Sequence, residues 1–482
     1  MQKTIRVSSA LLLMSCGALA ATSFVAFGRA SLAANGLSND TTQRQKAIEA
    51  LRAQGESGWK TLQTTYADDI AQHRANGLAK TPNWENVRHA LYKVSGQRDS
   101  WASGLYWYTD LEAAKAAAKK SGKPILSLRL LGRLDEELSC ANSRFFRTAL
   151  YANQNISQTL RNDFVLHWSS ERPVPVVTID MGDGRVMKRT LTGNSVHYLM
   201  DSQGRVLDAL PGLYGPGAFA KWLGHSRNLN VSWLALPAEK RDEWLRNYHK
   251  AQIEYSMNAY ADDYVKAYSV KLNDEQRANF VKGLAATSFV SAPPAPSAWL
   301  AGARAMAKSA AEMPILNSTR VYGTLPESMN LSVTESVGTP RPYRLFDASS
   351  INSDFDNISW ARLATLYTID AQLDGSSQNL MCSKMPQQIS DQTNKNPGIP
   401  FSRIPIVGVL QSFQSAMAID TVRNKYRMHL PIHKWFADGE ATDFETLNRR
   451  VYSELFLTPR NDQWLGLAPI GTYTALQNDG VS

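Results

Sequence analysis

Cys140 and Ser143, within the run Leu138-Ser-Cys-Ala-Asn-Ser-Arg-Phe-Phe-Arg147, form a Cys-x-x-Ser pair. That spacing puts a thiol at a helix start and a hydroxyl one turn on. A sulfur there faces unpaired amide N–H groups and the positive end of the helix dipole, which favours the thiolate, and Ser143 can donate a hydrogen bond to it. Arg133 and Arg144 would add positive potential, while Asp135, Glu136 and Glu137 would oppose it. The chemistry implied is monothiol exchange: Cys140 as nucleophile, Ser143 as thiolate stabiliser, protein thiols or disulfides as partners. Release of the mixed disulfide would then need an outside thiol or Cys382. The competing reading makes Cys140 a small apolar residue capping a helix against a sheet, or half of a structural disulfide.

Two other groups could do chemistry. Cys382 lies in the polar, proline-bounded stretch "NLMCSKMPQQ". A bridge to Cys140 would stabilise by roughly 3–5 kcal/mol through loop closure; otherwise Cys382 is an unpaired, half-buried thiol. His429-Leu-Pro-Ile-His433 has the three-residue gap of some zinc ligands, but Pro431 interrupts the helix that would align the rings. With no HExxH motif and no acidic partner evident, these read as ordinary histidines and no metal is expected. The chain lacks a P-loop, a GxSxG elbow and a Rossmann fingerprint, so no cofactor is expected either.

The elements that must position Cys140 are well marked. "TDLEAAKAAAKKSGK", 109–123, predicts a helix with Thr109 or Asp110 as N-cap and Gly122 at its end. "KPILSLRLLG" predicts a buried strand at 124–131, a helix starts at Cys140, and "DFVLHWSS", 163–170, predicts a second strand. Two hairpins follow, 174–191 turning at Gly182-Asp-Gly184 and 195–212 turning at Ser202-Gln-Gly204, and "GPGAFAKWLGHS" predicts a closing helix. The order is helix, strand, helix, strand, two strand pairs, helix.

This order, with "GKPILSL", "DFVLHW", "YLMDSQGRVLDALPGLYGPGAFAKWL" and a cysteine opening the helix after the first core strand, resembles the thioredoxin fold, especially its exported bacterial thioredoxin-like branch. The resemblance spans about residues 105–226. It implies an α/β domain, a mixed sheet flanked by helices, and thiol-disulfide exchange. Two departures point the other way. The resolving cysteine of Cys-x-x-Cys is Ser143, and where the family places a cis-proline before the final hairpin the sequence reads Gly193-Asn-Ser-Val-His197.

The rest of the chain frames that domain. Lys3 and Arg6 precede 22 uncharged residues, Val7 to Gly28, and small residues at Ser31 and Ala33 suit cleavage after Ala33 or Ala34. Residues 1–33 therefore predict export to the periplasm or envelope. An uncleaved anchor giving membrane attachment, or lipidation at Cys16 in Leu13-Met-Ser-Cys16, are the alternatives. Loss of Lys3, Arg6 and Arg29 takes the net charge from +9 to +6, with no basic run, so no nucleic-acid partner is expected.

Residues 34–104 predict a helical N-terminal region, with helices over 40–75 and 80–95. Residues 229–482 predict a mainly helical C-terminal domain, with Trp244, Tyr248, Ile253, Met257, Tyr260 and Tyr264 as a core-facing stripe of a helix over 237–268. Two functions follow from the whole: an envelope thiol-disulfide exchange factor, or a redox-inactive thioredoxin-fold module that binds or scaffolds an envelope protein.

Overall fold

The computed structural model describes residues 38–76, 83–190, 194–288, 357–384, 405–440 and 443–460. The export segment at 1–33, the linker at 291–299, the stretch at 313–346 and most of the aromatic tail at 457–476 lie outside them. The chain divides into two compact units, residues 1–108 and 109–482.

In the first unit, α1 (Thr41–Ala53), α2 (Glu56–Thr65), α3 (Ala67–Asn76), α4 (Trp84–Ser95) and the single turn α5 (Ser100–Ser103) enclose Ile48, Leu51, Trp59, Leu62, Val87 and Leu91. The helical run expected over 40–75 is three helices. Each break lets the next helix turn its apolar residues back onto the same core. Arg52 ties α1 to the unit's end by donating to the carbonyls of Val94, at 2.8 Å, and Trp107, at 2.6 Å.

The second unit opens with α6 (Leu111–Ser121), capped by the Asp110 carboxylate accepting from the Ala113 amide at 2.7 Å and ended by Gly122. β1 (Ile125–Leu131) is wholly buried, as a central strand flanked on both sides must be. After it come α7 (Ala141–Phe145), which widens into a π-turn at Phe146–Leu150, then α8 (Gln154–Asp163) and β2 (Val165–Arg172). β3 (Val176–Asp180) and β4 (Val186–Thr190) form a separate two-stranded ribbon, followed by β5 (Ser195–Met200) and β6 (Val206–Pro211).

The main sheet runs β2-β1-β5-β6, with β1 parallel to β2, β5 antiparallel to β1 and β6 antiparallel to β5. It is a mixed α/β sheet flanked by helices. The register sends Ser195, His197 and Asp208 to one face, and Ser127, Arg129 and Tyr198 to the other.

Helices make up the rest of the described residues. α9 (Pro216–Ala235) outruns the closing helix expected from its first twelve residues, and α10 (Ala238–Tyr268) follows after two residues. Then come α11 (Asp274–Ser288), α12 (Asn357–Ala364), α13 (Gly375–Ser383) and α14 (Pro405–Arg423). α14 passes through a π-turn at Asn424–His429 into α15 (Leu430–Ala437), and α16 (Phe444–Arg450) ends in another at Val451–Leu455. No described helix is long and apolar enough to cross a membrane. The expected stripe on α10 is only partly core-facing: Met257 and Tyr260 are buried, while Trp244 and Tyr248 stack at 5.7 Å beside a half-open groove.

Candidate functional site

Cys140 stands at the N-cap of α7, its amide donating to the Leu131 carbonyl at 3.1 Å, so the end of β1 fixes the start of the helix. Its side chain is 0 % exposed. Sγ lies 2.8 Å from the Ser195 hydroxyl at the start of β5. Ser143 does not reach the sulfur. Its hydroxyl donates instead to the Cys140 carbonyl at 2.8 Å and lies 2.7 Å from the Ser139 hydroxyl. A serine in the first turn of a helix readily bonds back to the preceding turn's carbonyl, and that local bond wins over the thiol. Ser195 takes the expected role of hydroxyl partner.

The flanking arginines are engaged away from the sulfur. Arg133 pairs with Asp135 at 2.9 Å and Glu136 at 3.1 Å, while Arg144 donates to the Ser139 carbonyl and Thr190 hydroxyl.

The chain's C-terminal part closes the pocket. Tyr452 is buried and donates to the Asn194 carbonyl at 3.1 Å, next to Ser195. Asn194 donates to Thr458 Oγ1 at 3.0 Å, and Arg172 to the Thr458 carbonyl at 3.0 Å. Behind the thiol, the Tyr151 hydroxyl meets His197 Nε2 at 2.7 Å, with Phe146 and Phe219 against the imidazole. Burial pushes the Tyr151 and Tyr452 phenols well above their ordinary value and the His197 imidazole down to about 3. All three are neutral around the sulfur. Cys382, in the last turn of α13, is half-buried, and it and Cys140 are separate free thiols.

A second cluster lies on the same sheet face, at the β6 edge. Asp208 Oδ2 accepts from Trp222 Nε1 of α9 at 2.9 Å, and Oδ1 from His429 Nε2 at 3.0 Å and the Ala209 amide at 2.8 Å. His249 of α10 donates Nε2–H to the Leu207 carbonyl at 2.9 Å, and its Nδ1 lies 2.9 Å from His433 Nδ1. His433 Nδ1 is 4.0 Å from Asp208 Oδ1. Asp208, His249 and His433 are all buried.

Burial holds His249 at about 4 and His433 well below its ordinary value, so both rings are neutral. For Asp208, burial opposes ionisation, but His429, with lesser help from His433 and His249, outweighs it and keeps the carboxyl below its usual range.

From the sequence, His429 and His433 are expected to be unaligned and without an acidic partner. Their rings pack against each other, centroids 4.1 Å apart and tilted by 39°, because Pro431 sits in the first turn of α15, just past a π-turn, where a missing N–H is tolerated. The acidic partner is Asp208, 221 residues earlier, and His249 comes from a third element. The one signal that could have found them was an isolated Asp inside the otherwise apolar strand Val-Leu-Asp-Ala-Leu-Pro.

No family model, curated protein or solved structure matches the chain.

Proposed function

We propose that this protein is a redox-silent, thioredoxin-like module of the cell envelope, exported by residues 1–33, whose task is to bind or scaffold a partner protein. The observation that carries the reading is the closed pocket at Cys140: no exposed surface, Sγ held by Ser195, and Tyr452 over the strand start beside it. A disulfide substrate could reach Sγ only if the side chains that bury it were displaced. The element order fits the thioredoxin-like resemblance: helix, strand, cysteine-capped helix, strand, two hairpins, helix. The position before the final hairpin, where that resemblance would put a cis-proline, is taken by Asn194-Ser195, and the described residues hold no cis peptide.

Binding has a surface to work with. The β3–β4 ribbon stands apart from the main sheet and exposes Val176, Met181, Val186 and Met187. Exposed apolar side chains on a ribbon with unpaired edges suit an added strand from a partner.

Iodoacetamide labelling of the folded protein tests the proposal. Cys140 should react at least a hundredfold more slowly than Cys382 and become equally reactive in denaturant. Labelling of Cys140 at the rate of an open thiol, or faster, would restore the exchange reading.

A further inference from the structure

We propose that Asp208, His249 and His433 form a binding site for one divalent zinc-type cation that fastens the β6 edge of the sheet to α10 and α15. The inference stands apart from the proposed binding role, since none of these residues touches the cysteine pocket or the ribbon.

The donor set argues for it first. One ligand atom from each of the three residues lies within 4.8 Å of the others. In a tetrahedral zinc site with bonds near 2.0–2.2 Å, ligand atoms sit about 3.3 Å apart. The distance between the two imidazole Nδ1 atoms, 2.9 Å, falls just short of that, and the Nδ1–Oδ1 distance, 4.0 Å, just beyond it. Side-chain rotations moving each donor by no more than about 1 Å close the difference. Two imidazoles and a carboxylate, with no thiolate, suit zinc and its late first-row neighbours and not calcium or magnesium.

The outer partners argue for it independently. His249 gives its Nε2–H to the Leu207 carbonyl, which fixes the tautomer and leaves Nδ1 a bare lone pair aimed at His433. Asp208 Oδ2 is held by Trp222, and His429 orients Oδ1. A backbone carbonyl behind a histidine and hydrogen bonds behind a carboxylate are the supports that metal ligands carry. Without a cation, the two Nδ1 atoms share the single proton on His433 Nδ1. Binding shifts that proton to His433 Nε2, a tautomer change that keeps the imidazole neutral, and gives each Nδ1 the cation as a full partner. His429 is the most exposed of the four side chains and marks the way in.

Untagged protein, stripped with chelator and dialysed, should be titrated with Co2+ alone and then with Zn2+. The expected result is one Co2+ per chain, with visible bands of four-coordinate intensity and no thiolate charge-transfer band. One equivalent of Zn2+ should abolish the bands and raise the melting temperature. His433→Ala should lose the bands, Asp208→Asn should bind at least tenfold more weakly, and His225→Ala, on the α9 surface, should bind normally. Sub-stoichiometric binding by the unaltered protein would overturn the site, and this needs no variant to fold. So would a thiolate band, or Co2+ bands that survive in a folded His433→Ala protein.

Discussion

Cys140 and Asp208 meet the same face of the sheet, through adjacent strands, and are buried in opposite ways. The thiol contacts β5 through one hydroxyl and is otherwise surrounded by neutral rings, which suits a soft, weakly hydrated group that behaves as a small hydrophobe. The carboxylate draws donors from α9, from the π-turn before α15 and from its own strand, with α10 and α15 supplying two further imidazoles. A buried charge without such partners would cost several kcal/mol. One residue can therefore be lost almost silently, whereas the other holds several elements to account.

The sharpest way to break this contrast is Asp208→Ala. It strands the buried Trp222 donor and the half-buried His429 donor and should cost about 3–5 kcal/mol in urea unfolding. A loss under about 1 kcal/mol would mean the cluster is poorly coupled to the fold.

Acid should act on the cysteine side through His197. Its folded value is about 3 against about 6.5 unfolded, so below pH 6.5 the unfolded chain binds the extra proton. Stability then falls with pH by about 1.4 kcal/mol per unit from this group, levelling off near pH 3. The neutral substitution His197→Gln should flatten the dependence of unfolding free energy on pH by one proton between pH 6 and 4. An unchanged slope would refute the assignment.

Gly212 couples the two regions. Its amide donates to the Ser195 carbonyl at 2.8 Å, its φ is +88°, and a Cβ there would lie 2.5 Å from the Asn424 side chain, at the head of the π-turn leading to His429. Gly212→Ala should cost about 1–3 kcal/mol, and amide exchange should rise at both β5 and α15. Protection lost at one element alone would show that the regions are independent.

Tyr452→Phe removes one hydrogen bond from the cover over Cys140 and should cost about 1 kcal/mol. Cys140 alkylation should speed up severalfold, whereas a rate unchanged from the parent would move the barrier elsewhere. The smallest effect on the thiol belongs to Ser143→Ala. It loses bonds to Ser139 and the Cys140 carbonyl, about 0.5–1.5 kcal/mol, and alkylation should be unaltered because the hydroxyl does not face the sulfur.

Local signals carry the reading of residues 109–226. Asp110 and Gly122 bracket α6 as expected, and both hairpins turn at their glycines, because caps and turns are decided within a few residues. Ser143 was misplaced because its spacing from Cys140 is right for contact, and only the rotamer decides between sulfur and carbonyl. Asp208 and His249 were missed because their partnership is tertiary: strand register, the orientation of a 31-residue helix and a π-turn must all be known first. Nothing in the sequence marked that last irregularity.

The wide turn at Asn424–His429 also sets a phase. A helix of 3.6 residues per turn advances about 100° per residue, so one in-frame codon lost from this segment would swing His429 and His433 through roughly a quarter turn or more away from Asp208. The chain would keep its hydropathy and helical length while its two imidazoles pointed elsewhere. Here reading frame along a helix, more than residue identity, is the quantity under constraint, and length variation at 424–429 should be tolerated far less than substitution.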